Sequence, residues 1–227
     1  MSYNDSIILW GGRNDEGACN IVFVYDVHKQ LWTVPTVFGS KPGSRDGHSA
    51  SVVGSAMYIF GGFEDDTERF SQDIYRLDLT TFTWTQVLTH GLPPKWRDFH
   101  SASSIGNRLY IFGGRSDQEG QYHTRHEEYD NELVYFDISK STWFHVVTDN
   151  LPNGRRSHSS FVYESKLYIF GGYNGIEDLH YNDVHCYDPS SNKWSKLDIP
   201  GSPRPCPRRR QSCVLVKDKL YLFGGTR

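Results

Sequence analysis

The chain has 227 residues, 37% of them hydrophobic, which is enough for a sizeable core. Its formal net charge of -3 gives no general pull toward nucleic acid or an anionic membrane surface. There is no apolar run of about 18 residues to span a membrane, and Met1-Ser-Tyr-Asn-Asp5 lacks the basic-then-apolar pattern of a signal peptide, so the expected localisation is cytoplasmic and/or nuclear. Cys19, Cys186, Cys206 and Cys213 are widely spaced and read as reduced structural thiols.

One phrase recurs along the chain. Glycine doublets stand at Gly11-Gly12, Gly61-Gly62, Gly113-Gly114, Gly171-Gly172 and Gly224-Gly225, 50 to 58 residues apart. Each follows a short apolar run, such as Met57-Tyr-Ile-Phe60 or Leu109-Tyr-Ile-Phe112. After the doublet comes an Asp closing a pair (Tyr25-Asp26, Leu77-Asp78, Phe136-Asp137, Tyr187-Asp188), and six residues later a Trp (Trp32, Trp84, Trp143, Trp194). The next unit opens on Arg-x-x-His: Arg45 with His48, Arg97 with His100, Arg155 with His158, and finally Arg208 with Gln211. From that His or Gln to the doublet is thirteen residues every time. Constant spacings mark built elements in a repeat architecture.

Each unit predicts four strands, as in His48-Ser-Ala-Ser-Val-Val53, Met57–Phe60, Asp73–Leu77 and Thr83–Val87, with period-2 alternation or short apolar runs and no sustained helical period. The Asp after the third strand suits a turn whose carboxylate accepts backbone N–H bonds. The Gly-Gly pair suits unusual dihedrals where two backbones crowd. Such sheets bury both faces only by stacking radially.

Gly-Gly, Tyr-Asp and the following Trp resemble the signature of kelch repeats, and the chain is identified as a member of the kelch-repeat β-propeller family. Longer strings, among them Leu9-Trp-Gly-Gly-Arg-Asn-Asp-Glu-Gly-Ala-Cys19, Trp96-Arg-Asp-Phe-His-Ser-Ala102 and Cys206-Pro-Arg-Arg-Arg-Gln211, resemble one kelch-domain subfamily over essentially all 227 residues. The expected fold is an all-β propeller of antiparallel four-stranded blades: a partial blade 1–44, blades 45–94, 97–150 and 155–200, and a partial blade 208–227. The chain departs from the family pattern at both ends, since it starts on a second strand and stops after Gly225. It therefore reads as a fragment or incomplete gene model forming an open arc; the alternative is a small ring closed by pairing the first and last segments.

The loop entering the first strand and the loop after the second lie on one propeller face. This places Arg13, Arg45, Arg97, Arg115, Arg155, Arg156 and Arg208 to Arg210 around one mouth of the channel, which is expected to be positive and to favour a carboxylate. The loop from Gly114 to Asp137 is the longest, 23 residues against 14 to 16 elsewhere, and reads as functional or mobile.

The resemblance implies more. Related kelch-domain proteins are substrate receptors of cullin-2 RING ubiquitin ligases that hold the extreme C-terminus of client proteins, often ending in glycine. Arg115 matches the arginine after a Gly-Gly doublet that grips the terminal carboxylate in those relatives. Arg155, Arg156 and Ser157 match the second gripping region, with the serine out of register by one or two residues. Arg45, Arg97 and Arg209 complete the candidate set for peptide binding. The expected partners are C-terminal peptides of clients, with elongin and cullin-2 reached only through a helical region not in this chain. The alternative is a non-catalytic kelch scaffold without degron binding, with chromatin as a candidate association.

Other readings stand beside these. The recurrent arginines and His48, His100 and His158 suit tying blades together. The triple arginine at 208–210 lacks the aromatic interleaving of a nucleic-acid contact. His123, His126 and Glu127 have no further converging metal ligands, and no cofactor is expected. With no copper set, no paired nucleophile and no phosphate loop, the sequence reads as non-enzymatic.

Overall fold

The computed structural model describes residues 1–227 and is built of strands, with no helix. Three successive sheets share one design, a four-strand antiparallel meander. Their members are Ser49–Val53, Ala56–Phe60, Ile74–Asp78 and Thr83–Gln86; then Ser101–Ile105, Arg108–Phe112, Leu133–Asp137 and Thr142–Val146; then Ser159–Tyr163, Lys166–Phe170, Val184–Asp188 and Lys193–Lys196. A last sheet has two strands, Arg209–Val216 and Lys219–Thr226. The first sheet holds Ser6–Trp10, Val22–Asp26 and Leu31–Thr33. It also holds Ser2–Tyr3, a short inner strand that sequence reasoning missed, paired Tyr3 to Ser6 as Val53 pairs to Ala56.

The core is divided between the sheets rather than gathered inside any one. Ile8, Trp10 and Val22 pack on Met57, Ile59 and Trp84 of the next sheet. Tyr58, Phe60 and Ile74 pack on Leu109, Val134 and Trp143, and Tyr110, Phe112 and Leu133 on Leu167, Ile169 and Trp194. At each junction the fourth-strand Trp meets the aromatic that ends the preceding sheet's second strand: Trp84 on Trp10 at 5.4 Å, Trp143 on Phe60 at 5.1 Å and Trp194 on Phe112 at 5.3 Å. Such tilted pairs add roughly 0.5–1.5 kcal/mol each beyond area burial. Trp32 differs, because it packs only on Tyr25 of its own sheet and stays half exposed.

The glycine doublets lock neighbours together. Gly62 N–H donates to Arg97 O of the next sheet at 2.8 Å, and Gly114 to Arg155 O and Gly172 to Arg208 O at the same distance. A Cβ on Gly113 would sit 2.5 Å from Arg155 O and 2.8 Å from His158 Cε1, at a φ of +66°, so only glycine fits. Inner strands are also tied side by side, Ser49 Oγ to His100 Nε2 at 2.7 Å and Ser101 Oγ to His158 Nε2 at 2.8 Å. The turn after the third strand is closed as expected: Asp78 Oδ1 accepts from Thr80 N and Thr81 N, and Asp137 Oδ1 from Ser139 N and Lys140 N.

At the far end Phe223, the equivalent of Phe60 and Phe112, has no following Trp and is 82% exposed, and Gly224 has nothing within 4 Å of an added Cβ, so the structure is an open arc and does not close into the small ring. Connectors shield some outer edges, as where Phe38–Gly39 runs parallel along Thr83–Gln86.

Candidate functional site

The four residues of each opening motif go to four different environments. The first is the repeated arginine. Arg45, Arg97 and Arg155, expected at the mouth, are each only 1% exposed. Their Nη1 atoms donate to the carbonyl of the first doublet glycine (Gly61, Gly113, Gly171) at 3.0, 2.8 and 3.1 Å. Their Nε atoms donate to a carbonyl two residues back (Gly43, Lys95, Asn153). Each then meets an acid: Glu64 at 2.8 Å, Asp130 at 2.9 Å or Asp183 at 2.5 Å. These guanidiniums are bonded inside the fold rather than facing the mouth, which corrects their placement there. Burying an arginine is tolerable only with such complete pairing.

The second residue lines the mouth at Asp46, Asp98 and Arg156, whereas Arg209 stacks over Tyr173 instead. The third takes a left-handed conformation in every unit, with φ of +65° at Gly47, +52° at Phe99, +54° at Ser157 and +59° at Arg210. These residues form a backbone staircase from blade to blade. Phe99 N–H donates to Gly47 O at 2.7 Å, Ser157 N–H to Phe99 O at 2.8 Å and Arg210 N–H to Ser157 O at 2.9 Å. Ser157 thus contributes backbone to the channel wall. The fourth residue is the buried His or Gln of the inner strand. Burial holds His158 down to about 3, and the nearby Arg155 charge pushes the same way.

A cavity of about 350 Å³ opens at the mouth, lined by Arg13, Asp46, Phe63, Asp98, Phe99, Arg115, His123, Arg156 and Arg210. Arg115 is fixed by Asp98 through Nε at 3.1 Å and Nη2 at 2.5 Å, which leaves Nη1 facing the cavity. Asp98 is fully buried; burial pushes its carboxyl up to about 6 against the pull of the Arg115 guanidinium. Arg156 lies between the rings of Tyr129 and Tyr173, 5.6 Å from each. Arg115 Nη1 at 3.3 Å and Arg156 Nη1 at 3.4 Å converge on one oxygen, Glu127 Oε1.

The acids at this mouth were not foreseen. Arg13 pairs with Asp46 at 3.2 Å and with Asp65, Arg115 with Asp98 and Glu127, and Arg156 with Glu127. Three arginines (13, 115, 156) therefore meet four carboxylates (46, 65, 98, 127), and with Arg210 counted the mouth is near balance rather than strongly positive. Arg210 forms no ion pair. The Asp in the second motif position, at 46 and 98, was the sequence signal available for this pairing. The three consecutive arginines separate: Arg208 bonds Gly224 O at 2.8 Å, Arg209 stacks 4.3 Å over Tyr173, and Arg210 enters the cavity.

The long third loop is a built hairpin. Ser116–Asp117 pairs with Glu127–Glu128, and the buried Asp117 carboxylate accepts from Glu119 N, Thr124 N and Thr124 Oγ1. Its tip reaches the preceding blade, where Phe70 N–H donates to Gln121 O at 2.6 Å. His123 turns to Arg115 and Glu127, while His126 meets Glu119 at 2.6 Å, so the two histidines point to different acids.

Radially stacked four-stranded meanders, clamped by glycine doublets and fourth-strand tryptophans around a polar mouth, define a propeller-type repeat domain for binding other proteins. The family described as the KLHDC2/KLHL20/DRC7 Kelch-repeats domain matches residues 1–225, and the chain belongs to the kelch-repeat family. It is 51% identical over 225 residues to Kelch domain-containing protein 3 of Rattus norvegicus and 50% identical to that of Homo sapiens, in both cases over 98% of this chain and 59% of the relative. Host cell factor 2 of Homo sapiens is 29% identical over 240 residues, covering 99% of this chain and 30% of that protein. The chain thus spans 59% of the length of the Kelch domain-containing protein 3 relatives.

Proposed function

We propose that this kelch domain is the client-binding part of a ubiquitin-ligase substrate receptor of the cullin-2 RING type, and that its mouth captures the C-terminal carboxylate of client proteins. The observation that carries this reading is the convergence of Arg115 Nη1 and Arg156 Nη1, held by different blades, on a single carboxylate oxygen. Two guanidiniums aimed at one point form a preorganised carboxylate grip. Asp98 and the Tyr129–Tyr173 pair fix the two side chains before any ligand arrives, which lowers the ordering cost of binding. Phe63 and Phe99 supply apolar wall for the residues that precede a terminus. Capture of a terminal carboxylate is an established mode of peptide recognition.

The test is binding of a random-sequence decapeptide pool ending in glycine, prepared as free acid and as amide. The acid pool is expected to bind and the amide pool to bind at least tenfold more weakly, and Arg156→Ala is expected to remove that difference. Equal binding of acid and amide by the unaltered protein would refute carboxylate capture and leave a general protein-binding scaffold.

A further inference from the structure

The same grip is already occupied from within. Glu127 Oε1 takes Arg115 Nη1 at 3.3 Å and Arg156 Nη1 at 3.4 Å, and His123 Nε2, 2.9 Å from Arg115 Nη1 and 3.3 Å from the same oxygen, serves one of the two at a time. We infer that Glu127 is an internal competitor for the site, a resident carboxylate that an incoming C-terminus must displace, and that it sets the affinity of the mouth. This rests on the reading of Arg115 and Arg156 as a carboxylate grip.

Three observations support displacement. The first is the length of the contacts. Charge-assisted N–H···O bonds are ordinarily about 2.7–2.9 Å, and the structural pairs of this protein reach that range, with Arg97 to Asp130 at 2.9 Å and Arg45 to Glu64 at 2.8 Å. Glu127 is held more loosely by both arginines. Its one short bond comes from the Tyr129 hydroxyl to the other oxygen, Oε2, at 2.5 Å.

The second is charge balance. With Glu127 in place, the four carboxylates equal the four arginines of the mouth in number, three of the arginines being paired. A ligand carboxylate arriving beside Glu127 would put two anions at one grip, and like charges that close repel. Exchange keeps the balance, because the Glu127 charge moves toward water as the ligand takes its place. Burial opposes ionisation of Glu127, but the Tyr129 hydroxyl, Arg156, His123 and Arg115 outweigh it and hold the carboxyl below its ordinary range. Proton uptake near neutral pH therefore does not clear the site, and the side chain itself must leave.

The third is the scaffold beneath. Glu127 sits on the stem of the hairpin, opposite Asp117, and its side chain is 24% exposed. Its backbone is fixed by the hairpin pairing, while its outer atoms have a path to solvent. A change of side-chain rotamer is enough, and the loop stays where Asp117 and the Gln121–Phe70 bond anchor it.

Glu127→Gln keeps the size and an oxygen for Tyr129 but removes the charge. The tightest free-acid decapeptide from the glycine-ended pool is expected to bind this variant about tenfold more tightly, equal to about 1.4 kcal/mol, with the amide form unchanged. Tyr129→Phe, which releases Oε2, is expected to tighten acid binding by a smaller factor, and serves if Glu127→Gln does not fold. If the unaltered protein prefers acid over amide but these variants bind the acid no better, Glu127 organises the grip rather than competing for it, and this inference fails while carboxylate capture stands. If no form distinguishes acid from amide, carboxylate capture fails and the inference with it.

Discussion

Arg97 and Arg156 occupy adjacent positions of the same repeated motif in neighbouring blades, yet they belong to different regions of the molecule. Arg97 lies beneath the mouth, nearly sealed from water, and satisfies two carbonyls and Asp130. Arg156 lies at the mouth between two tyrosine rings, with one loose contact to Glu127. A one-residue step along the chain turns a guanidinium from a buried strut into a side chain that faces the mouth. The buried layer repeats from blade to blade because each blade needs it, whereas the mouth layer varies, with Asp at 46 and 98 and Arg at 156.

The sharpest way to break this contrast is to truncate both. Arg97→Ala is expected to destabilise the fold by about 3–5 kcal/mol, since it strands buried carbonyls and leaves Asp130 without its partner. Arg156→Ala is expected to cost less, about 1 kcal/mol of stability, because its side chain is only partly buried and its one ion pair is long, 3.4 Å. Urea denaturation measures both, and similar losses would erase the distinction between the layers.

Acidification probes the buried layer next. His100 and His158 are held far below the usual histidine range by burial and by Arg97 and Arg155, so they stay neutral in the folded state. A depressed folded pKa means stability that is present above the unfolded value near 6.5 and lost as pH falls below it, about 1.4 kcal/mol per pH unit for each group. Asp98 acts in the opposite direction, because its raised pKa makes the folded state bind a proton first between about 6 and 4. With His48, held down to about 4 by burial and by Arg45, three histidines outweigh one aspartate, and moving from pH 7 to pH 5 is expected to remove roughly 4 kcal/mol of stability. Stability that stays flat over that range would show that the histidines are charged inside the fold.

The smallest expected effects separate two kinds of glycine. Gly113→Ala meets the next blade at Arg155 O and His158 and is expected to lose roughly 2–4 kcal/mol, from the left-handed conformation and the clash together. Gly106 has a φ of +57° but nothing within 4 Å of an added Cβ, so Gly106→Ala is expected to lose only the conformational part, about 1–2 kcal/mol. Equal losses at the two positions would mean that the doublets do not clamp blade to blade.

Much of the fold was legible in the residues alone. The doublet, the Asp and the Trp six positions later fixed strands, turns and order, because each acts locally: a positive φ, an Asp carboxylate over a turn, an aromatic at a strand position. The recurrent Arg-x-x-His segments also announced a structural layer. What only the tertiary structure decided is which arginines reach the mouth and what neutralises them. Arg13 meets Asp65 across 52 residues of chain, and Arg156 meets Glu127 across 29, on another blade. Spacing within a unit determines backbone geometry, but charge pairing between units depends on how the blades stack and where a hairpin folds back. The sequence by itself therefore determined a kelch-type β-arc with an arginine-bearing mouth. The balance of charge at that mouth, and Glu127 seated between Arg115 and Arg156, came only with the three-dimensional arrangement, because Coulomb interactions follow distance in space and not separation along the chain.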